Sequence, residues 1–294
     1  MAPVIKELKF CGKPLTTEEL DLIKDLAEDF WGISRTELAN TVCELLSWER
    51  SNGKSKTVEC IQFLDELEKL EIIGLPKKRS AGRQASKGIA RTKQGESREL
   101  IIGSPGHLKG LVFEPVTTNE QRRLFKELVD RYHYLGYKQP FGAHLRYLVR
   151  CRKEGRLLAC LQYSSPAWKV KARDQWIGWD NKLREKNLQQ IIQNSRFLIL
   201  PWVNMKGLAS HILGQVNKHI GDDWVSLYRH RPLLLETFVD QKFRGTSYLA
   251  ANWIKLGETR GRGRMDRKHR HTEPIKTVWV YPLHRRAREL LRSS

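Results

Sequence analysis

RFLILPWVNMKGLASHILGQVNKHI, residues 196–220, reads as an apolar strand, a short turn holding Gly207, and then a helix. Working outward, the same alternation of strand and helix extends on both sides. Upstream, VFEPV (112–116) is a short strand, and TTNEQRRLFKELVDRYHYL (117–135) is a helix capped near Thr118. HLRYLVRCR (144–152) and GRLLACLQYSS (155–165) read as paired strands joined at Lys153-Glu154-Gly155, a hairpin signal. NLQQIIQNS (187–195) is expected to be helical before the strand at 196. Downstream come the strand PLLLETFVD (232–240), a helix around SYLAANWIKLG (247–257) and a last strand, TVWVYPL (277–283). The expectation is a mixed sheet flanked by helices over residues 109–294, ending in a basic tail.

Residues 1–76 have a different pattern, that of a helical module. Thr16 and Glu19 have capping-box spacing before LDLIKDLAEDF (20–30), and Ser34 and Glu37 repeat it before LANTVCELLSW (38–48). A third helix is expected from about Thr57 to Leu70, with Val58, Ile61, Leu64, Leu67 and Leu70 on one stripe. Such a module suits a helix-turn-helix or winged-helix DNA reader, with GISRTELANTVCEL (32–45) as the two-helix element and Arg35 placed to meet phosphate. A three-helix bundle for protein contact shares the pattern. Between the two parts, residues 77–108 read as a basic linker whose Lys77, Lys78, Arg79 and Arg83 could lie along a phosphate backbone. The fold class is therefore α+β, in two domains.

The charge is lopsided, Lys+Arg 53 against Asp+Glu 33, a net of +20. Such self-repulsion suits a protein that meets a polyanion, and nucleic acid, double- or single-stranded DNA first, is the expected partner. No apolar run is long enough to span a bilayer, so no membrane partner and a cytoplasmic location are expected. The five cysteines, odd in number and without a C-x-x-C pair, argue against a zinc ribbon and a disulfide framework.

Several words carry candidate chemistry. Asp174, Glu236 and Asp240 lie near strand ends, where carboxylates could hold a divalent cation such as Mg2+ for phosphodiester chemistry. The competing reading pairs Asp174 with Arg173 or Arg244 in a structural ion pair. Tyr132 and His133, in YHYLGY (132–137), could supply a phenol nucleophile with a nearby base; that aromatic run could equally stack on unpaired bases or pack a helix end. Arg173, Arg260, Arg262 and Arg264 are candidates for gripping phosphate, the last three in a Gly-Arg loop.

The strand and helix order over roughly residues 110–285 resembles the GNAT acyltransferase fold. That resemblance implies an acyl-CoA pyrophosphate loop at Asn204–Ala209, where Gly207 and Ala209 fit and Asn204 replaces the usual Arg or Gln. It also implies a thiolate-protonating Tyr four residues before a Gly, a place where this chain has Trp253 ahead of Gly257. Indole has no useful acidity, so the scaffold looks kept while the chemistry looks changed. YHYLGY, PAWKVKARDQWIGW (166–179), NSRFLILPWV (194–203), LLETFVD (234–240) and NWIKLGETRGRGR (252–264) are similar to the DruA family, named for the Druantia anti-phage system. SRTELANTVCELLSW (34–48) resembles the DNA-binding start of some insertion-element transposases. These resemblances imply a DNA-acting protein of a prokaryotic defence or mobile-element locus, with other proteins of that locus as further partners. Three alternatives stand beside it: a transposase or nickase using the carboxylates or a Tyr, an acyl-CoA-dependent base modifier, and a non-catalytic DNA-binding subunit.

Overall fold

The computed structural model describes residues 8–29, 34–46, 48–51, 55–75, 88–138, 140, 143–261 and 274–293. The chain divides into two compact units. One holds residues 1–82 with 141–143 and 224–230; the other holds 83–140, 144–223 and 231–294.

The first unit opens with a minimal hairpin, β1 (Lys9–Phe10) and β2 (Lys13–Pro14), turned through Cys11 and Gly12 at positive φ. Helices α1 (Thr17–Asp29), α2 (Arg35–Leu45) and α3 (Thr57–Lys69) follow. The Thr16–Glu19 capping box forms as spacing predicts: Glu19 N donates to Thr16 Oγ1 at 3.2 Å, and Thr16 N to Glu19 Oε2 at 3.0 Å. The α3 stripe differs from expectation. Cys60, Phe63, Leu64 and Leu67 are buried, whereas Val58 and Leu70 are more than half exposed. Positions three apart drift by about 60° per step around a 3.6-residue helix, so the expected series could not hold one face; i, i+3, i+4, i+7 does. The described part of 32–45 is one helix, α2, rather than two. Phe10, Trp48 and Phe63 form an aromatic cluster within this core, Phe10 stacked on Trp48 at 3.6 Å.

The second unit begins earlier than its strands suggest. Residues 88–108, expected to be linker, are folded against it. Strand β3 (Ile101–Gly103) pairs in parallel with β8 (Val203–Met205), and Thr92 donates from N and Oγ1 to the buried Glu127. Next come β4 (Leu111–Pro115), α4 (Asn119–Tyr132), and the hairpin of β5 (His144–Cys151) with β6 (Leu157–Ser164). The Thr118 cap on α4 and the Gly155 turn of the hairpin are as predicted. Helices α5 (Lys171–Ile177) and α6 (Asn181–Asn187) precede β7 (Ile191–Ile199). Thus IIQNS, expected to be helical, is strand; its β-branched isoleucines are fully buried in the sheet. Helices α7 (Leu208–Val216) and α8 (Ile220–Tyr228), strand β9 (Leu234–Asp240), helix α9 (Thr246–Ala250), strands β10 (Ile254–Glu258) and β11 (Lys276–Pro282), and helix α10 (Ala287–Leu290) complete the chain. The expected helix at 247–257 is therefore a short helix followed by an edge strand.

Seven strands form a mixed sheet in the order β10-β11-β9-β7-β6-β5-β4. Every pairing is antiparallel except β7 with β9. Those two parallel strands pair only from Ile191↔Leu234 to Gln193↔Glu236, while β7 stays paired with β6 as far as Ile199. Beyond Gln193 side chains of β9 and α9 reach β7. Thr237 Oγ1 donates to Asn194 O at 2.9 Å, and Tyr248 Oη donates to Asn194 Oδ1 at 2.8 Å. Strand β6, buried at all eight positions, is the centre of the core.

Candidate functional site

Two of the three carboxylates singled out by sequence meet, but they meet around an arginine. Arg173 on α5 is fully buried. Its Nε and Nη2 donate to Asp174 Oδ1 at 2.9 and 2.8 Å, and Nη1 donates to Glu236 Oε2 at 2.8 Å. Nη1 also reaches Ala167 O at 2.8 Å, and Nη2 reaches Trp168 O at 3.4 Å. All five N–H bonds of the guanidinium are used, so Arg173 is not a phosphate grip. Glu236, fully buried on β9, accepts a further bond from Ala167 N at 2.9 Å, and Arg184 lies 3.7 Å from Asp174 Oδ2. Burial pushes the Glu236 carboxyl upward while Arg173 pulls it back. The knot ties the 165–170 segment to β9. Among the described residues no group of three or more His, Cys, Asp or Glu side chains is placed to hold a metal ion. Asp240 does not join the set: it lies four residues beyond Glu236 on the same strand, about 13 Å along it.

The remaining candidates separate. Tyr132 donates its phenol to Gly95 O at 3.0 Å and packs edge-on against Trp202, so it closes a helix end. Arg35 pairs with Asp65 and Glu68 within the helical unit, its side chain 13% exposed. Arg260 is exposed at the end of the segment after β10. Lys77, Lys78, Arg79, Arg83, Arg262 and Arg264 lie outside the described residues. Gly207, at φ +80°, starts α7 as the strand–turn–helix reading predicts, with Ala209 in the first turn. Trp253 sits after α9 and Gly257 within β10, so the helix on which a Tyr-to-Gly spacing was counted ends before both. The phenol that α9 does carry, Tyr248, is held by Asn194, and burial raises it above its ordinary value.

A surface built from three separate elements is the better site. The turn after α4 presents His133, Tyr134 and Leu135. Gly136, at φ +60°, closes it with a bond from its N to His133 O at 2.7 Å, and Arg196 of β7 donates to Gly136 O at 3.2 Å. The turn after β9 is built by Asp240, whose carboxylate accepts from Lys242 N at 3.2 Å and whose carbonyl accepts from Phe243 N at 2.9 Å. The result brings Tyr134 to Phe243 edge-to-face at 5.2 Å, stacks His133 on Tyr134 at 4.8 Å, and puts Lys242 Nζ 4.0 Å above the Tyr134 ring. Tyr134 and Phe243 are nonetheless 44% and 48% exposed.

The electrostatics suit binding rather than proton transfer. Burial, with the positive charges of Arg196 and Lys242, lowers His133 to about 4, and its Nδ1 accepts from Leu135 N at 3.2 Å. A neutral imidazole that weakly basic is a poor general base at neutral pH. Burial and Asp240 raise the Tyr134 phenol, away from a nucleophilic phenolate. Sequence reasoning found His133 and the aromatic run; it missed Lys242, Phe243 and Arg196. The signal for the first two was Lys242-Phe243-Arg244 one residue beyond the acidic strand end Asp240.

Fold and site together define an α+β protein whose mixed sheet parts between two parallel central strands, with an open aromatic and cationic surface formed from the turns beside them. The family description "Druantia protein DruA" matches residues 66–271, well over half of the chain, and the chain belongs to that family. Family membership points to anti-phage defence. No curated protein matches. Among solved structures, the chain is similar to a spermidine N-acetyltransferase SpeG chimera from Vibrio cholerae and hSSAT, at 9% identity over 59% of this chain and 95% of that one, TM-score 0.39. It is also similar to the aminoglycoside acetyltransferase AAC(6')-Ib with coenzyme A (13% identity, 63% and 100% covered, TM-score 0.39). A Drosophila melanogaster polyamine N-acetyltransferase shows 12% identity, 60% and 100% covered, at TM-score 0.35.

Proposed function

We propose that this DruA-family protein binds DNA with unpaired bases, in anti-phage defence, through the Tyr134–Phe243 surface. The supporting observation is that two large aromatic side chains stand about half exposed beside Lys242, on turns fixed by Arg196 and Asp240. Aromatic faces accept any base by stacking, and the flanking cations meet phosphates. The net charge of +20 supplies long-range attraction to the same polyanion. The basic run from Lys77 to Arg83 and the Gly-Arg loop add to that charge.

Fluorescence anisotropy with a labelled oligothymidylate and with a duplex of equal length tests this. Tighter binding of the single strand is expected. The Tyr134→Ala/Phe243→Ala double variant should lose about 1–3 kcal/mol for each base that stacks. Undiminished single-strand affinity in that variant would remove the surface from the function.

A further inference from the structure

In this same unit, a groove of about 630 Å³ runs between α5 and the edge strand β10. Lys171, Gln175 and Trp176 line one side; consecutive residues Ile254 to Glu258 and then Arg260 line the other. We propose that this groove captures an extended acidic peptide segment of a partner protein, adding it to the sheet as a strand beside β10.

Three observations converge on that occupant. First, among the described residues β10 is hydrogen-bonded on one side only, to β11, so its outer edge offers backbone donors and acceptors to an added strand. An added strand satisfies such an edge, and its alternate side chains then meet the groove walls. Second, the walls are cationic. Lys171 and Lys255 are exposed and form no ion pair among the described residues. The one acid, Glu258, is engaged by Gln241, whose Nε2 donates to it at 3.2 Å. The charge thus selects an acidic segment and repels a basic one. Third, Trp176 gives the groove an apolar wall whose orientation is fixed, because the Arg288 guanidinium lies 5.0 Å from its ring centroid. An aromatic wall beside a backbone edge suits a peptide that alternates acidic and apolar residues.

The full-length protein would be titrated with a fluorescein-labelled (Glu-Val)4 peptide, its (Lys-Val)4 counterpart and an eight-nucleotide oligothymidylate. Saturable binding of the acidic peptide alone, with backbone amides of 254–258 gaining hydrogen-exchange protection, is expected. Lys171→Glu/Lys255→Glu should weaken it roughly ten-fold or more, and Lys255→Arg should retain it. Circular dichroism confirms that each variant is folded. Tyr134→Ala should leave peptide binding unchanged, which separates this groove from the proposed DNA surface. Failure to bind (Glu-Val)4 at millimolar concentration would overturn the proposal. So would binding without protection at 254–258, or oligothymidylate binding that the lysine variants abolish while the peptide does not bind.

Discussion

The buried knot of Arg173, Asp174 and Glu236 and the open surface of Tyr134, Lys242 and Phe243 are built from the residue types that sequence inspection marks as chemical. They differ in whether their valences are spent. In the knot every guanidinium N–H has an acceptor and Glu236 has no exposed surface. Nothing is left over to bind a substrate. At the open surface the aromatic rings touch each other at their edges and remain about half exposed, with the cation beside them. An acid near a strand end is thus a weak indicator of function until its partners are known, whereas an exposed aromatic pair fixed by hydrogen-bonded turns leaves binding capacity unused.

The largest effect that could break this contrast is at the knot. Glu236→Gln keeps the volume but replaces a carboxylate that accepts from both Arg173 Nη1 and Ala167 N by an amide with one acceptor oxygen, while Asp174 stays paired with Arg173. A hydrogen bond to a charged group contributes about 1.5–3 kcal/mol, so the melting temperature should fall. Asp174→Asn should lower it further, because Asp174 accepts two bonds from Arg173 and also lies 3.7 Å from Arg184, so both guanidiniums lose a countercharge. DNA affinity of the folded fraction should stay at the level of the unmodified protein. A variant of normal stability that had lost DNA binding would give the knot the functional role that its geometry denies it.

The comparison also shows what the sequence made legible. The mixed sheet, the Thr118 cap, the Gly155 hairpin and the strand–turn–helix at 196–216 follow from local periodicity and turn residues, and these are where prediction and structure agree. Ile191 and Ile192 were misplaced because a short apolar run does not distinguish helix from strand without knowing its neighbours. Residues 88–108 read as linker because their anchors are long-range, the pairing of β3 with β8 and the bonds of Thr92 to Glu127 and Tyr132 to Gly95, with no periodicity to reveal them. The Arg173–Asp174 pairing was visible as an alternative because the two are adjacent in sequence. Glu236, 63 residues away, was not visible as the second partner. For the same reason His133 and Tyr134 could be noticed in YHYLGY, while Lys242 and Phe243 reach them only through the fold.

A smaller effect sharpens the open half of the comparison. Lys242→Gln removes one cation from the surface while leaving the rings in place. If Lys242 neutralises one phosphate of a single strand, the slope of log K against log salt should become shallower by about 0.7. Anisotropy titrations between low and moderate salt measure this directly. A reduced affinity with an unchanged slope would mean that Lys242 supports Tyr134 by cation–π contact rather than meeting phosphate.

The smallest expected effect is a pH dependence that belongs to the open surface alone. His133 titrates near 4 in the folded protein, lowered first by burial and then by Arg196 and Lys242, against an ordinary value of 6.5. The folded state therefore resists protonation that the unfolded chain accepts. Its contribution to stability is complete above about pH 6.5 and is lost progressively as the pH falls through about 4. A His133→Gln variant, with no proton to take up, should show a flatter decline of melting temperature across that window than the unmodified protein. Lys242→Gln should move the His133 midpoint upward, since one of the two repelling cations is gone, and an NMR titration of the imidazole reads that shift without reference to stability. An unmoved midpoint would place Lys242 too far from His133 in solution to act on it, and would loosen the cluster on which the DNA surface depends.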